Sequence, residues 1–280
     1  NATKQAGEPE PATNLGGKSV WWTWTSPIDG TVDITTEGST FDTKLGVYTG
    51  TALGALTKRG ENDDEATDIE TSKITAMPVS YGVEYKILVD GFYSGTVATG
   101  DIALKVNIPI PNDNSNAPTV LSGSSGTRYG TNVGATLQAG ETGMAGNLGG
   151  KSVWFKFVAP TNGVLDVDTS GSDFDTTLGV RQAGPEGTIV AQNDDDAPPA
   201  RWSQGSDVAL LSGYSYYIRL DGYRTADGII DDGFLQLNWS FSASRTAPTT
   251  PPNVTVTRTS VEDAVNISWG LPTGGGSPTN

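Results

Sequence analysis

The residues best suited to chemistry form an acidic constellation that the chain carries twice. Phe41-Asp42-Thr43 and, further on, Asn62-Asp63-Asp64 recur as Phe174-Asp175-Thr176 and Asn193-Asp194-Asp195. Hard cations such as Ca²⁺ take about six to eight oxygen ligands from carboxylates, side-chain amides and main-chain carbonyls. Two loops that bring such residues together would supply that set. In a chain of net charge -15, an uncompensated cluster of this kind is costly without a cation. The expected Ca²⁺ ligands are Asp42, Asn62, Asp63 and Asp64 in the first copy, and Asp175, Asn193, Asp194 and Asp195 in the second. The spacing is not that of an EF-hand loop. Asp and Asn also shape turns through side-chain to main-chain hydrogen bonds, so these residues set the loop conformation on either reading. A further acidic stretch, Asp227 to Gly233, occurs only in the second copy and reads as a polar hairpin tip.

Composition removes much other chemistry. The chain has no histidine and no cysteine. It therefore lacks the usual general base near neutral pH, the Ser-His-Asp triad, the commonest zinc ligand, thiolate metal sites and disulfides. A hydrolase built on this sequence would have to be a carboxylate-based glycosidase, with two carboxylates about 5 to 9 Å apart across a cleft. The negative charge disfavours nucleic acid and anionic membrane surfaces, since affinity there comes from Lys and Arg. No apolar run approaches the roughly 20 residues that cross a bilayer.

One motif invites a misreading. Ala12 to Ser19 and Ala145 to Ser152 each carry Asn-Leu-Gly-Gly-Lys-Ser and nearly match a phosphate-binding loop. That loop cradles phosphate at the start of a helix. Here the next residues, Val20-Trp-Trp-Thr-Trp24 and Val153-Trp-Phe-Lys-Phe157, alternate as strands, so nucleotide binding is rejected.

The elements that position these groups are legible because the two copies can be compared. Residues 14–47 match residues 147–180 without a gap, and the register extends back to Ala2 against Ala135. The period is about 130 residues, far longer than the roughly 20–50 residues of solenoid units, so the repeat is a whole domain. Val20, Trp22 and Trp24 alternate with Ser19, Trp21 and Thr23, and the second copy keeps the pattern with Val153, Phe155 and Phe157 against Ser152, Trp154 and Lys156. Alternation of period two puts the first set in a core and the second on the opposite face. The same rule runs through Val32 and Ile34, Leu45 and Val47, Tyr85, Ile87 and Val89, and Ile102 to Ile108, each with its second-copy counterpart. Short alternating strands between Gly, Pro, Asn and Asp turns predict an all-β chain of two tandem antiparallel β-sandwiches. Trp21 and Trp154 fall on the outward set. They would either stack on sugar rings or protein partners, or be buried by the preceding Gly-rich segment with Glu8 or Glu141. Asp90-Gly91-Phe92 and Asp221-Gly222-Tyr223 close a core strand and carry a hairpin signal, with Phe92 and Tyr223 as candidate ligand contacts.

These patterns divide the chain into a first sandwich at 1–110, a proline- and asparagine-rich linker at 111–118, a second sandwich at 119–243, a Thr/Pro linker at 244–252 and a tail at 253–280. Thr119 to Gly130 opens the second copy with no counterpart in the first, so the sequence is expected to be a piece of a larger modular chain. Asn253 to Thr257 and Ala264 to Pro272, with Trp269, look like the first strands of a fibronectin type III module.

The motifs Gly-Gly-Lys-Ser-Val-Trp, Phe-Asp-Thr, Asn-Asp-Asp and Asp-Gly-aromatic, in that order, make both copies resemble bacterial pre-peptidase C-terminal (PPC-type) domains across nearly all of 1–243. The resemblance implies jelly-roll-type sandwiches attached to secreted bacterial proteases, glycosidases or adhesin-like surface proteins. Relatives in collagenases bind calcium and collagen. Their ligands in an N-terminal acidic segment would correspond to Glu8 and Glu141. The expected role is a non-catalytic, extracellular pair of binding modules, stabilised by Ca²⁺, attached to neighbouring domains and contacting polysaccharide or protein. The alternatives are a passive stalk in a surface adhesin or filament, and the carboxylate-based hydrolase.

Overall fold

The computed structural model describes residues 2–196 and 199–244, and beyond them the backbone of two further strands. The chain is all-β, and the described residues contain no α-helix, only short 3-10 turns at Pro11–Thr13 and Leu53–Ala55. In the first half the strands are β1 (Val20–Thr25), β2 (Gly30–Thr35), β3 (Thr43–Thr49), β4 (Thr57–Asn62), β5 (Lys73–Val79), β6 (Glu84–Gly91) and β7 (Lys105–Asn107). They form two sheets of order β1-β6-β3-β4 and β5-β2-β7. In the second half β8 (Thr119–Val120), β9 (Ser125–Thr131), β10 (Val153–Val158), β11 (Gly163–Asp168), β12 (Thr176–Gln182), β13 (Thr188–Asn193), β14 (Gln204–Leu210), β15 (Ser215–Gly222) and β16 (Phe234–Ala243) form sheets of order β13-β12-β15-β10-β8 and β14-β11-β16-β9. Among the described residues, no strand of one half pairs with a strand of the other.

Burial follows the period of two. Val32, Ile34, Leu45, Val47, Ile87 and Val89 form one core; Phe155, Phe157, Leu165, Leu178, Ile218 and Leu237 belong to the other. The halves differ at their edges. In the second, β8 pairs in parallel with β10 and β9 pairs with β16, and Leu121 and Ala135 beside them enter the core. Neither strand has a counterpart among the described residues of the first half. Trp22 and Trp24 accordingly stay partly exposed where Phe155 and Phe157 are buried.

The linker is docked rather than free. The Asn112 carbonyl accepts the main-chain N–H of Trp154 (2.8 Å), and its side-chain amide donates to the Trp154 carbonyl (3.1 Å), which ties the linker to β10. Tyr81 of the first half stacks on Tyr129 (3.8 Å between ring centroids) and on Phe234 (5.5 Å) of the second. The main-chain N–H of Asp29 also donates to the Tyr129 carbonyl (3.2 Å).

One expectation is revised. Asp90-Gly91 and Asp221-Gly222 do close core strands, but as the buried last residues of β6 and β15 rather than as a turn, because main-chain N–H groups hold their carboxylates inside the fold. In the tail, β17 (Thr255–Arg258) and β18 (Val265–Ser268) pair antiparallel, with Thr255 opposite Ser268. Trp269 and the remainder of the fibronectin-like stretch lie outside the described residues.

Candidate metal centre

Strand register converges the acidic residues. β3 and β4 are antiparallel neighbours with Leu45 opposite Asn62, so Asp42, just before β3, meets Asp63 and Asp64, just after β4. The second half repeats this with Leu178 opposite Asn193, bringing Asp175 to Asp194 and Asp195. In each triad, one carboxylate oxygen from every member lies within 4.8 Å of the others. The loops are pinned from behind. Phe92 donates its main-chain N–H to the Asp42 carbonyl (3.0 Å), and Tyr223 does the same for Asp175 (2.8 Å).

A buried hydroxyl network supports each triad, a feature that strand periodicity does not reveal. Thr36 and Thr43 Oγ1 are 2.6 Å apart, and Ser72 Oγ is 3.0 Å from Thr43 Oγ1; all three residues are fully buried. Thr169, Thr176 and Ser203 reproduce the arrangement, and Ser203 Oγ also donates to the Asp194 carbonyl. The signal in the sequence was the Thr after Asp42 and Asp175, present in both copies.

Electrostatics and satisfaction favour a cation. Asp42 Oδ1 and Asp63 Oδ1, and equivalently Asp175 Oδ1 and Asp194 Oδ1, are closed to solvent and have no hydrogen-bond partner among the described residues. Burial, then repulsion from Asp63, Asp64 and Glu70, pushes the Asp42 carboxyl up to about 6. Burial, then Asp195 and Asp175, pushes Asp194 up to about 6 as well. Asp63 is raised by burial and by Asp64, and Asp175 by burial in spite of Arg201. An unpartnered carboxylate oxygen out of water is expensive. A divalent cation would use these oxygens directly, so the donor set fits the hard-cation chemistry of Ca²⁺.

The two centres differ in one charged neighbour. Glu70 gives its main-chain carbonyl to Thr43, and Arg201 occupies the same place beside Thr176. Arg201 binds Asp175 (3.2 Å) and Asp231 (2.9 Å) through its guanidinium, so an internal cation partly neutralises the second triad.

Other expected ligands do not join the clusters. Asn62 Oδ1 accepts the main-chain N–H of Lys73 (2.6 Å), and Asn193 Oδ1 that of Gln204 (2.9 Å). Each amide oxygen is thus committed to holding neighbouring strands together. Glu8 accepts hydrogen bonds from Gln5 N (3.1 Å) and the Ser19 hydroxyl. Glu141 accepts from the Ser152 hydroxyl (2.7 Å) and from Trp154 Nε1 (2.8 Å). Both are clasps for the loop that crosses the sheet. Phe92 and Tyr223 are half-buried and act through their main chains.

Trp154 is sealed, 1 % exposed, with its indole N–H on Glu141 and the Arg219 guanidinium 5.9 Å from its ring centre. It is not a ligand platform. Trp21 is half-buried, and its indole N–H makes no hydrogen bond among the described residues.

The Gly-Gly-Lys motif proves to be an internal anion cradle. Gly17 and Lys18 direct their main-chain N–H groups at the buried Asp90 carboxylate (2.9 and 2.7 Å), and Gly150 and Lys151 at Asp221 (2.9 and 2.7 Å). The phosphate-loop likeness therefore has a physical basis, but the anion is the protein's own. A Cβ on Gly16 or Gly149 would collide with that carboxylate, and φ is +55° and +57° there, a conformation that favours glycine. The counter-charge differs between copies. Lys44 on β3, opposite Asp90, is buried and donates to the Asn14 carbonyl (2.5 Å). In the second copy Thr177 holds that strand position, and Arg219 on β15 contacts Asp221 instead (2.7 Å).

No family model matches the chain, and no curated protein matches it. Among solved structures, the CBM32-1 and CBM32-2 domains of Clostridium perfringens ZmpB align over 82% of this chain and 84% of that one, at 9% identity and a TM-score of 0.22. An oxalate decarboxylase of Bacillus subtilis aligns over 81% of this chain and 68% of that one, at 6% identity and a TM-score of 0.12. Superpositions this loose carry no functional argument, and the chain's own geometry must supply one.

Proposed function

We propose that the chain is a tandem of non-catalytic binding modules of the PPC type, each holding one divalent cation, Ca²⁺ by preference, in its Asp triad. The tandem belongs to a larger extracellular bacterial protein, in which it attaches its neighbouring domains to polysaccharide or protein. The observation that supports this most is the duplicated set of buried, partnerless carboxylate oxygens, Asp42 and Asp63 in one half and Asp175 and Asp194 in the other. Raised carboxyl pKa values can also mark a general acid. A glycosidase acid, however, must reach the glycosidic oxygen. Here one oxygen of each perturbed carboxyl, Oδ1 of Asp42, Asp63, Asp175 and Asp194, is turned inward towards the other members of its triad, which favours binding over hydrolysis.

The test is thermal melting of the full chain with Ca²⁺ or EGTA. Ca²⁺ is expected to raise the melting temperature, and Asp42→Ala and Asp175→Ala each to remove part of the rise. An unchanged melting curve in Ca²⁺ would defeat the cation reading. The stack of Tyr81 on Tyr129 and Phe234 favours a second reading, a stiff spacer. That reading predicts cation-dependent stability with no external ligand.

A further inference from the structure

The outer face of the first sandwich carries a cleft of about 290 Å³ whose lining includes Gln5, Glu8, Trp21, Thr23, Leu53 and Lys86. We propose that this cleft binds a single neutral pyranose unit of a polysaccharide, with the Trp21 indole as its platform. The inference rests on the reading of the chain as a binding module and deepens it by naming one site and one ligand class.

The contrast between the copies is the main support. Trp154 is closed because Glu141 takes its indole N–H and Arg219 packs against its ring. At the matching places the first copy has Glu8, whose oxygens are engaged by Gln5 N and Ser19, and Leu88, which cannot act as a cation. Trp21 thus stays only half-buried, its indole N–H without a hydrogen bond among the described residues. Tyr48 braces it from one side, with ring centroids 5.8 Å apart and planes inclined by 49°. A braced indole beside hydroxyl and amide groups suits a ring that has one apolar face and polar edges. Leu53 extends the apolar wall, while Thr23 and Gln5 offer hydrogen bonds at the rim.

Charge selects a neutral ligand. The Glu8 carboxylate is committed within the loop, and Lys86 is paired with Glu84 (2.8 Å). The cleft therefore has no spare cation for a uronic acid or a sulfated sugar. The second copy carries Lys156 in place of Thr23, a substitution that its sheet tolerates.

The experiment is affinity electrophoresis of the full chain through gels containing dextran, mixed-linkage β-glucan, galactomannan, arabinoxylan or alginate. Retardation by at least one neutral polysaccharide is expected, none by alginate, with at least a tenfold loss of affinity in Trp21→Ala. Thr23→Lys places a residue already accommodated in the second copy at the cleft edge, and should weaken retardation without lowering the melting temperature. Two results overturn the site: retardation that survives both variants, or retardation by alginate alone. No retardation by any gel overturns the sugar assignment too. If Ca²⁺ still raises the melting temperature in that case, the cation reading survives independently.

Discussion

Replacing Arg219 with leucine, the residue at the matching position of the first copy, isolates the physics of the buried carboxylate. Arg219 is 1 % exposed and Asp221 fully buried. The guanidinium contacts Asp221 (2.7 Å), lies 3.5 Å from Glu141 and donates to the Thr142 carbonyl (2.6 Å). Arg219→Leu strands two buried anions and one carbonyl. Removing one partner of a buried ion pair costs about 3–5 kcal/mol. Asp221 keeps the N–H groups of Gly150, Lys151 and Gly222, which moderates the loss. The lost carbonyl partner and the contact with the Trp154 ring add to it, so about 4 kcal/mol is expected. Thr177→Lys, which installs the first copy's cation on the adjacent strand opposite Asp221, should recover about half of that loss in the double variant, as coupled neighbours do. The assay is urea unfolding of the full chain, with the affected transition assigned by hydrogen exchange of the amides at 153–158. A loss below about 1 kcal/mol, the scale of an exposed ion pair, would refute the reasoning. So would a double variant no more stable than Arg219→Leu alone.

Three further outcomes follow from the same geometry. In EGTA, Asp42 and Asp194 have folded pKa values of about 6, above the ordinary 3.8 of an aspartate. Their contribution to stability is present at low pH and lost as pH rises through about 6, so the cation-free chain should melt higher at pH 5 than at pH 7.5, whereas the stabilisation by Ca²⁺ should be larger at pH 7.5. A flat profile in EGTA would contradict this. Arg201→Glu, which installs the residue found at the matching position, removes the internal cation from Asp175 and should raise Ca²⁺ affinity at the second centre several-fold in calorimetry, leaving the first unchanged. Gly149→Ala should destabilise the second half by at least about 2 kcal/mol in urea titration, through left-handed backbone strain and collision with Asp221.

Much of the fold was legible because alternation of period two is a local property, and two copies showed which positions are held apolar. The pairing of Asp42 with Asp63 and Asp64 could be anticipated from their repetition, but their convergence depends on the offset of Leu45 against Asn62, which only the sheet register supplies. The structural roles of Asn62 and Asn193 are hidden in the sequence for a related reason. An amide beside a carboxylate pair looks like a ligand until the neighbouring strand claims its oxygen. Asp90-Gly91 carried a turn signature, yet its carboxylate is drawn inward by N–H groups that lie more than seventy residues earlier in the chain. Local propensity cannot represent such a long-range demand. The different fates of Trp21 and Trp154 hinge on Leu88 and Arg219, which differ between two otherwise matching strands and face the indoles only through the sheet register.

The most direct test of the cation account is isothermal titration of the full, chelator-treated chain with Ca²⁺ at pH 7.5. The account predicts one cation per sandwich, that stoichiometry falling by half in Asp42→Asn combined with Asp63→Asn, and residual binding that Arg201→Glu tightens. A titration without heat, together with an unshifted melting curve, would contradict it, as would full stoichiometry in the Asp42→Asn, Asp63→Asn variant.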